Sequence, residues 1–126
     1  MLANARIHAT LPASDLERAK AFYADKLGLT PATETPAGSF YEIGGSRFFL
    51  FPSGGVASGT HTQLGFAVDD IAATVSELKQ RGVVFAEYDF PAFDRATSIA
   101  TVGDVQSAWF KDTEGNLLGI VQIPEG

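Results

Sequence analysis

One pattern occurs twice in this sequence, 55 residues apart. His8 lies seven positions before Asp15, and Gln63 lies seven positions before Asp70. In both copies an apolar, strand-like run leads to the acidic residue, and an amphipathic helix pattern follows it. A repeated unit of about half the chain predicts a two-fold architecture in which equivalent side chains face one another. His8 and Gln63 are therefore the first candidates for a shared site.

The composition excludes several classes of partner. With 126 residues, of which 45% are hydrophobic, the chain is long enough for one domain, 1–126, with a buried core. Its net charge of -6 provides no basic surface for phosphates, so we expect no nucleic-acid partner. No apolar run reaches the roughly 18 residues of a spanning helix, so we expect no membrane partner. The absence of cysteine is typical of a reducing compartment, and we expect a cytoplasmic location.

The first half has the pattern of a strand, a helix and three further strands. Alternating polarity over residues 5–11 predicts a strand with His8 on one of its faces. Ser14 and Glu17 form a capping-box pattern, which predicts that Ser14 begins a helix ending at Gly28. Glycine and proline turn signals then divide three strand candidates, at 32–35, 39–43 and 47–51.

The second half repeats this order. A strand over 63–68 leads to a helix that is capped by Asp69 or Asp70 and ends at Gly82. A glycine-rich crossing at 53–59 separates the two modules, at about 1–53 and 60–126. The strand candidates after the second helix lie at 83–88, 98–102, 107–111 and 117–122, with the last two joined in a hairpin by the turn at 112–116.

Several runs, taken in order, resemble one known family. They are Ile7-His8 through Asp15-Leu16, Phe22-Tyr23, Leu27-Gly28-Leu29 and Ala108-Trp109-Phe110 through Leu117-Leu118. They resemble the vicinal oxygen chelate superfamily of glyoxalases, bleomycin-resistance proteins and extradiol dioxygenases. The resemblance spans almost the whole chain and implies an α+β fold, in which two βαβββ modules form a curved mixed sheet around an open cup. This glyoxalase/dihydroxybiphenyl dioxygenase-like fold is often completed in a dimer. Since open sheet edges also invite pairing, we expect a homodimer.

The resemblance also implies where a metal would bind. The family places one ligand on the first strand and one on the last strand of each module. The first-strand positions fall on His8 and Gln63. The last-strand positions, where the family carries glutamate, fall on Phe49 or Leu50 in the first module and on Gly119 in the second. Both carboxylates are missing, so the resemblance implies a divergent member of the family in that respect.

The missing carboxylates change the expected chemistry of the cup. One imidazole and one neutral amide are too few protein ligands for a divalent metal, so we expect no metal and no other cofactor. Glu42, on a neighbouring strand, is the alternative that could supply a carboxylate. With Phe49 or Leu50 and Gly119 at its floor, the cup is expected to be apolar and roomy, which suits a small organic ligand.

Aromatic residues supply many of the candidate contacts, since the chain has ten Phe and one Trp. The polar loop at 87–95 carries three of the chain's aromatic side chains, and it is either a lid over the cup or clamped against its own sheet. His8 either faces the cup, which we favour, or is partly buried and bonded to a neighbour. Gln63 either fixes a ligand carbonyl or bridges across the sheet. The candidate ligand-binding residues are His8, Gln63, Tyr41, Arg47, Phe49, Tyr88, Phe90 and Trp109.

Two classes of function remain open, and the chain is either a binding module or an enzyme. A binding module would sequester a small, partly aromatic drug or metabolite, as the drug-sequestering members of the resembled family do, with His8, Gln63, Tyr41 or Arg47 orienting its polar atoms. An enzyme would be a lyase, isomerase or dioxygenase acting on a carbonyl or vicinal-oxygen substrate, with an unusual metal site or His8 as the base. Nucleophilic catalysis has no support, because the chain lacks cysteine and a Gly-x-Ser-x-Gly motif, and His61 falls in the surface crossing. The missing carboxylates favour binding, and a partner-binding subunit has the least support.

Overall fold

The chain folds as two successive half-units, described for residues 1–124 of a computed structural model. The first half contains β1 (Ala9–Ala13), α1 (Leu16–Leu27), β2 (Thr33–Thr35), β3 (Gly38–Ile43) and β4 (Ser46–Pro52). The second half contains β5 (Thr62–Ala67), α2 (Ile71–Gln80), β6 (Phe93–Asp94), β7 (Ile99–Val102), β8 (Val105–Lys111) and β9 (Leu117–Gln122). A short 3-10 helix at Leu2–Asn4 precedes them. None of these helices is long and apolar enough to cross a membrane.

The two halves build their sheets on the same plan. The strand order is β1-β4-β3-β2 in the first sheet and β5-β9-β8-β7-β6 in the second. In each sheet the first strand lies parallel to the last strand, and all other neighbours are antiparallel. The outer edges of β1 and β5 approach each other at the boundary between the halves. The predicted α+β fold is confirmed, and its strands form two mixed sheets, one in each half.

Two predicted strands differ from the structure in extent. The segment at 83–88 makes only a single bridge to β8, between Phe85 and Phe110, which includes the hydrogen bond from the Ala86 N–H to the Trp109 carbonyl at 2.8 Å. This segment cannot continue along β8, because β7 occupies the rest of that edge of β8. A short strand that was not predicted, β6, pairs with the outer edge of β7. The first strand was predicted over 5–11 but begins only at Ala9. Alternation predicts extended backbone, yet a strand also needs a hydrogen-bonded neighbour.

The repeated acidic residues begin the two helices. The Asp15 carboxylate accepts a hydrogen bond from the Arg18 N–H at 3.0 Å, and the Asp70 carboxylate does the same for the Ala73 N–H at 3.0 Å. Such caps satisfy amide groups that the first helical turn leaves unpaired. The prediction that Ser14 caps α1 is therefore wrong, and of the two candidates for α2 the cap is Asp70. Gly28 ends α1 in the left-handed conformation, with φ 70°.

The hydrophobic core lies between the helices and one face of each sheet. Tyr41 and Phe48 stack at 4.6 Å between ring centroids, and Tyr23 of α1 packs on both. Burial raises the pKa of Tyr41 to about 12. Residues of both halves join in one core cluster, which includes Leu11, Tyr23, Leu50, Val75, Phe110, Leu118 and Ile120. Since strand side chains alternate between faces, the opposite face carries Thr10, Phe49 and Trp109.

The turn between β8 and β9 holds the halves together at one end. The Glu114 carboxylate accepts hydrogen bonds from the Ser14 hydroxyl at 3.1 Å, the Asp15 N–H at 3.0 Å and the Arg18 Nε at 2.9 Å. The hydrogen bond from Arg18 is the main reason that the pKa of Glu114 falls to about 2. In the same turn, Asp112 accepts a hydrogen bond from the Tyr23 hydroxyl at 2.7 Å. We call this contact between the turn at 112–116 and α1 the turn clamp.

Candidate functional site

An aromatic surface covers the first sheet on the face away from the helices. Phe40 of β3 and Phe49 of β4 are register partners, and their ring centroids are 4.3 Å apart. Phe51 stacks on Phe49 with an interplanar angle of 11° and a centroid separation of 5.9 Å. His8 meets both Phe40 and Phe49 edge-on, at 5.7 Å and 6.4 Å between centroids. We call these four residues the first wall.

Of the two interpretations of His8, the structure favours exposure at the first wall. His8 lies immediately before β1, it is exposed, and its imidazole makes no hydrogen bond to any residue in the range 1–124. Its imidazole is held only by the edges of two phenylalanine rings. The ring is therefore open to solvent on its remaining sides and reachable by a small molecule lying on the wall.

The register of β4 decides whether Phe49 or Leu50 occupies the position at which the family carries its first glutamate. Phe49 belongs to the first wall, whereas Leu50 is fully buried in the core. Tyr41 shares the core face with Leu50 and is only 1% exposed, so it does not face the cup as expected. Arg47 does lie beside the wall, where its guanidinium sits 4.3 Å above the Phe40 ring and its Nε is 3.4 Å from the Glu42 carboxylate.

A second aromatic surface lies on the second sheet. The edge of Tyr88 meets Trp109 at 5.3 Å between ring centroids, and the Trp109 indole N–H donates to the Thr62 hydroxyl at 3.1 Å. These residues, together with Phe90 and Leu117, line a cavity of about 230 Å³ that also includes Thr60 and His61. We call Thr62, Tyr88, Phe90 and Trp109 the second wall. The cavity beside it is lined only by residues of the second half.

The loop at 87–95 combines features of both predicted alternatives. Tyr88 packs against Trp109 and against Phe93, which is buried as the first residue of β6. These contacts clamp the loop against its own sheet. Phe90, in contrast, is 39% exposed and borders the cavity. The loop therefore provides one fixed aromatic side chain and one accessible aromatic side chain to the second wall.

The pseudo-equivalence of His8 and Gln63 breaks at the start of β5. The register of β5 against β9 shifts between Thr62 and Leu64, which places Gln63 in a bulge. The Gln63 side-chain oxygen is buried and finds no hydrogen-bond partner among residues 1–124. Thr62, rather than Gln63, lies next to Gly119. A Cβ added to this glycine would lie 3.2 Å from the Thr62 methyl carbon. The sequence analysis missed Thr62 of the second wall and His61 of the cavity beside it, because no sequence signal marks this bulge.

The metal site implied by the family resemblance does not fit these residues. Phe49 and Gly119 stand at the positions where glutamate would be needed. The described part of the chain contains no group of three or more His, Asp or Glu side chains that could hold a metal ion. Glu42, the alternative carboxylate, is paired with Arg47. Gly119 also leaves less room than expected, since Thr62 and Trp109 fill the space above it.

Comparisons with known proteins agree with this fold. The sequence model of the Glyoxalase/Bleomycin resistance protein/Dioxygenase superfamily matches residues 6–120. The uncharacterized protein YurT of Bacillus subtilis (strain 168) is 30% identical over an alignment of 125 positions, and the alignment covers 86% of this chain and 91% of YurT. The crystal structure of UcmS2 matches with a TM-score of 0.72 and 20% identity over 92% of this chain and 96% of that chain. A lactoylglutathione lyase from Agrobacterium tumefaciens matches with a TM-score of 0.66 and 23% identity over 94% of this chain and 93% of that chain.

Proposed function

Because the chain belongs to the glyoxalase/bleomycin resistance protein/dioxygenase superfamily, we propose that it binds a small, partly aromatic organic molecule without a metal and thereby sequesters a drug or a metabolite. The observation that carries this proposal is the replacement of both expected carboxylates, by Phe49 on the first wall and by Gly119 beneath the second. A surface of this kind attracts flat apolar groups and offers a cation no charged oxygen.

The two walls support a ligand with a planar apolar body and a few polar atoms. Phe49 and Phe40 present ring faces and edges, and stacking on such rings contributes about 0.5–1.5 kcal/mol per aromatic pair beyond burial. His8 on the first wall and His61 beside the second are the polar side chains within reach of such a body. The imidazoles would orient the ligand, and the rings would supply most of its affinity.

A homodimer is part of the proposal. Within one chain, the cavity at the second wall has no first-half residue in its lining, so it is open on that side. A second copy that brought its first wall opposite would enclose a ligand between aromatic surfaces. Light scattering at micromolar concentration should therefore report a dimer, and a monomer would contradict this part of the proposal.

Trp109 provides a direct assay, because it is the only tryptophan of the chain and lies in the second wall. A panel of antibiotics and metabolites should contain compounds that quench Trp109 fluorescence and raise the melting temperature, since a ligand that binds only the folded state stabilises it. Replacing Phe49 by Leu should weaken a hit by about two- to tenfold through the lost ring contact. Phe22→Leu, on α1 and packed against the core, is the matched control and should leave affinity unchanged.

The metal-free part of the proposal has its own test. After mild dialysis, elemental analysis should find less than one metal ion per chain, and the hit compound should still bind in the presence of a chelator. One tightly held Zn, Ni, Fe or Mn ion per chain would overturn it.

The alternative is an enzyme, a lyase, isomerase or dioxygenase, with an unusual metal site or with His8 as a general base. The observation in its favour is that the His8 imidazole is exposed beside the first wall, where a substrate carbonyl could reach it. The test is whether the protein turns over a carbonyl or vicinal-oxygen compound. If His8→Gln abolishes that turnover but retains the affinity for the compound, the result favours this alternative over sequestration.

A further inference from the structure

The boundary between the two halves is closed at one end and open at the other. At the closed end the turn clamp fills the space beside β1, where the Asn116 amide donates to the Pro12 carbonyl at 3.0 Å. The two-fold repeat places the turn between β3 and β4 at the equivalent position beside β5. That turn consists of Gly44 and Gly45, which have positive φ angles of 56° and 81° and no side chains. The end beside β5 and α2 is therefore left uncovered.

Three adjoining cavities occupy this open end, and Ile43 lines all of them. The innermost, of about 160 Å³, lies between the end of α1 and α2, and all of its lining residues except Thr74 are apolar. The middle cavity, of about 410 Å³, lies between the Gly44–Gly45 turn and β5. The outermost, of about 580 Å³, opens beside Arg6 and Arg47. We call the three together the boundary cleft. The middle and outermost cavities each have a volume in the range of ligand sites in proteins, roughly 300–1,000 Å³.

The polarity of the boundary cleft changes along its length. Its inner part is formed by Phe66, Leu78 and other aliphatic or aromatic side chains. At its outer end two guanidinium groups meet one carboxylate, since Glu42 pairs with Arg47 at 3.4 Å. Arg6, by contrast, has no carboxylate within 4.0 Å in the described range 1–124. The cleft is apolar inside and carries an excess of positive charge at its mouth.

We propose that the boundary cleft is a second binding site, which takes a single-chain amphiphile with an anionic head group. The alkyl chain would lie along Ile43 and Phe66, and the head group would lie at Arg6. An apolar chain buries the otherwise exposed lining, and a carboxylate complements the guanidinium group left unpaired. The site is separate from the two walls, because neither Phe49 nor Trp109 lines any of the three cavities.

The first test uses chain length. Isothermal titration of the full chain with hexanoate, octanoate and decanoate should show affinity rising about fifteenfold for each added pair of methylenes, because each buried methylene contributes about 0.8 kcal/mol. Equal affinities along the series would overturn the proposal.

The second test uses the head group. Decanoate should bind more tightly than decyltrimethylammonium, and Arg6→Gln should weaken decanoate by about two- to fivefold, the range of an exposed ion pair. Tighter binding of the cationic amphiphile would overturn the proposal.

The third test locates the site. Ile43→Trp fills the cleft and should lower decanoate affinity at least about tenfold, because the alkyl chain loses most of its buried path. Val102→Trp is the matched control, since Val102 also ends a strand before a glycine-containing turn and is 67% exposed, against 37% for Ile43. Ile43→Glu is a second variant, which places a carboxylate in the cleft; it should also lower decanoate affinity, because it repels the head group and breaks the apolar path, and it keeps the test valid if tryptophan disturbs folding.

Two outcomes would place the occupant elsewhere. If Trp109→Ala abolishes decanoate binding and Ile43→Trp does not, the amphiphile binds at the second wall and the proposal is wrong. If decanoate fails to bind and Ile43→Trp converts a dimer into a monomer, a second copy of the chain covers the cleft, and the proposal is also wrong.

Discussion

Removing the charge of Glu114 should lower the free energy of unfolding at neutral pH and leave it unchanged in acid. Glu114 belongs to the turn clamp, and its side chain is 1% exposed while that of its partner Arg18 is 52% exposed. Its carboxylate accepts hydrogen bonds from Ser14, Asp15, Arg18 and Thr113. Gln at this position keeps the shape and one acceptor oxygen but loses the charge.

The magnitude follows from the pKa of Glu114. That pKa falls from 4.5 to about 2 on folding, mainly through the hydrogen bond from Arg18. At about 1.36 kcal/mol per pKa unit, the charged form stabilises the fold by about 3 kcal/mol. Because Arg18 is half exposed, solvent screening lowers this to about 2 kcal/mol. A depressed pKa contributes stability above the unfolded-state pKa, and that stability is lost as the pH falls from about 4.5 towards about 2.

Urea unfolding of Glu114→Gln and of the unmodified chain over a pH series measures this difference. The variant should be less stable by about 2 kcal/mol at neutral pH, and the two curves should converge near pH 2. Glu77→Gln is the control, since Glu77 forms an exposed pair with Arg81 at 3.3 Å and should cost less than about 0.5 kcal/mol. A difference for Glu114→Gln that is independent of pH would refute the assignment of its stabilising role to the charge.

Three further substitutions test the fold, each by thermal or urea unfolding. Tyr23→Phe removes the hydroxyl that donates to Asp112 and should lower the free energy of unfolding by about 1.5–3 kcal/mol. An unchanged free energy of unfolding would show that this hydrogen bond contributes nothing. Gly38→Ala should cost more than about 2 kcal/mol, since φ is 150° and the new Cβ would lie 2.6 Å from the Leu50 carbonyl; a neutral effect would contradict this packing. Asp70→Ala should cost about 1 kcal/mol through the lost cap of α2, and a cost near zero would contradict the capping role.

The elements that the sequence predicts well are those whose signals are local. The cap of α2, predicted as Asp69 or Asp70, the end of α1 at Gly28 and the strand over Leu117–Gln122 each depend on residues a few positions apart. Helical periodicity and an N-terminal cap are visible in any window of that size. The βαβ order of both halves is therefore predictable without knowledge of the tertiary structure.

The features that could not be predicted depend on distant partners. Ser14 has the sequence of a cap, but its hydroxyl bonds to Glu114, which is 100 positions away. The bulge at Gln63 is a property of how β5 meets β9, and neither strand carries a mark of it. The prediction of Tyr41 as a wall residue failed for a simpler reason. Adjacent strand positions face opposite sides, and the sequence does not say which side the helix covers.

The departures from two-fold symmetry coincide with the places where ligands are proposed to bind. A strict repeat would pair His8 with Gln63 in one site and would close both ends of the boundary between the halves. Instead, the bulge at Gln63 brings Thr62 into the second wall. The turn clamp closes one end of the boundary, whereas the Gly44–Gly45 turn leaves the opposite end uncovered. Stability needs only that the core face of each half is preserved, so the cup face and the boundary are free to differ between the halves. Different ligand chemistry at the walls and in the boundary cleft is the expected consequence of that freedom.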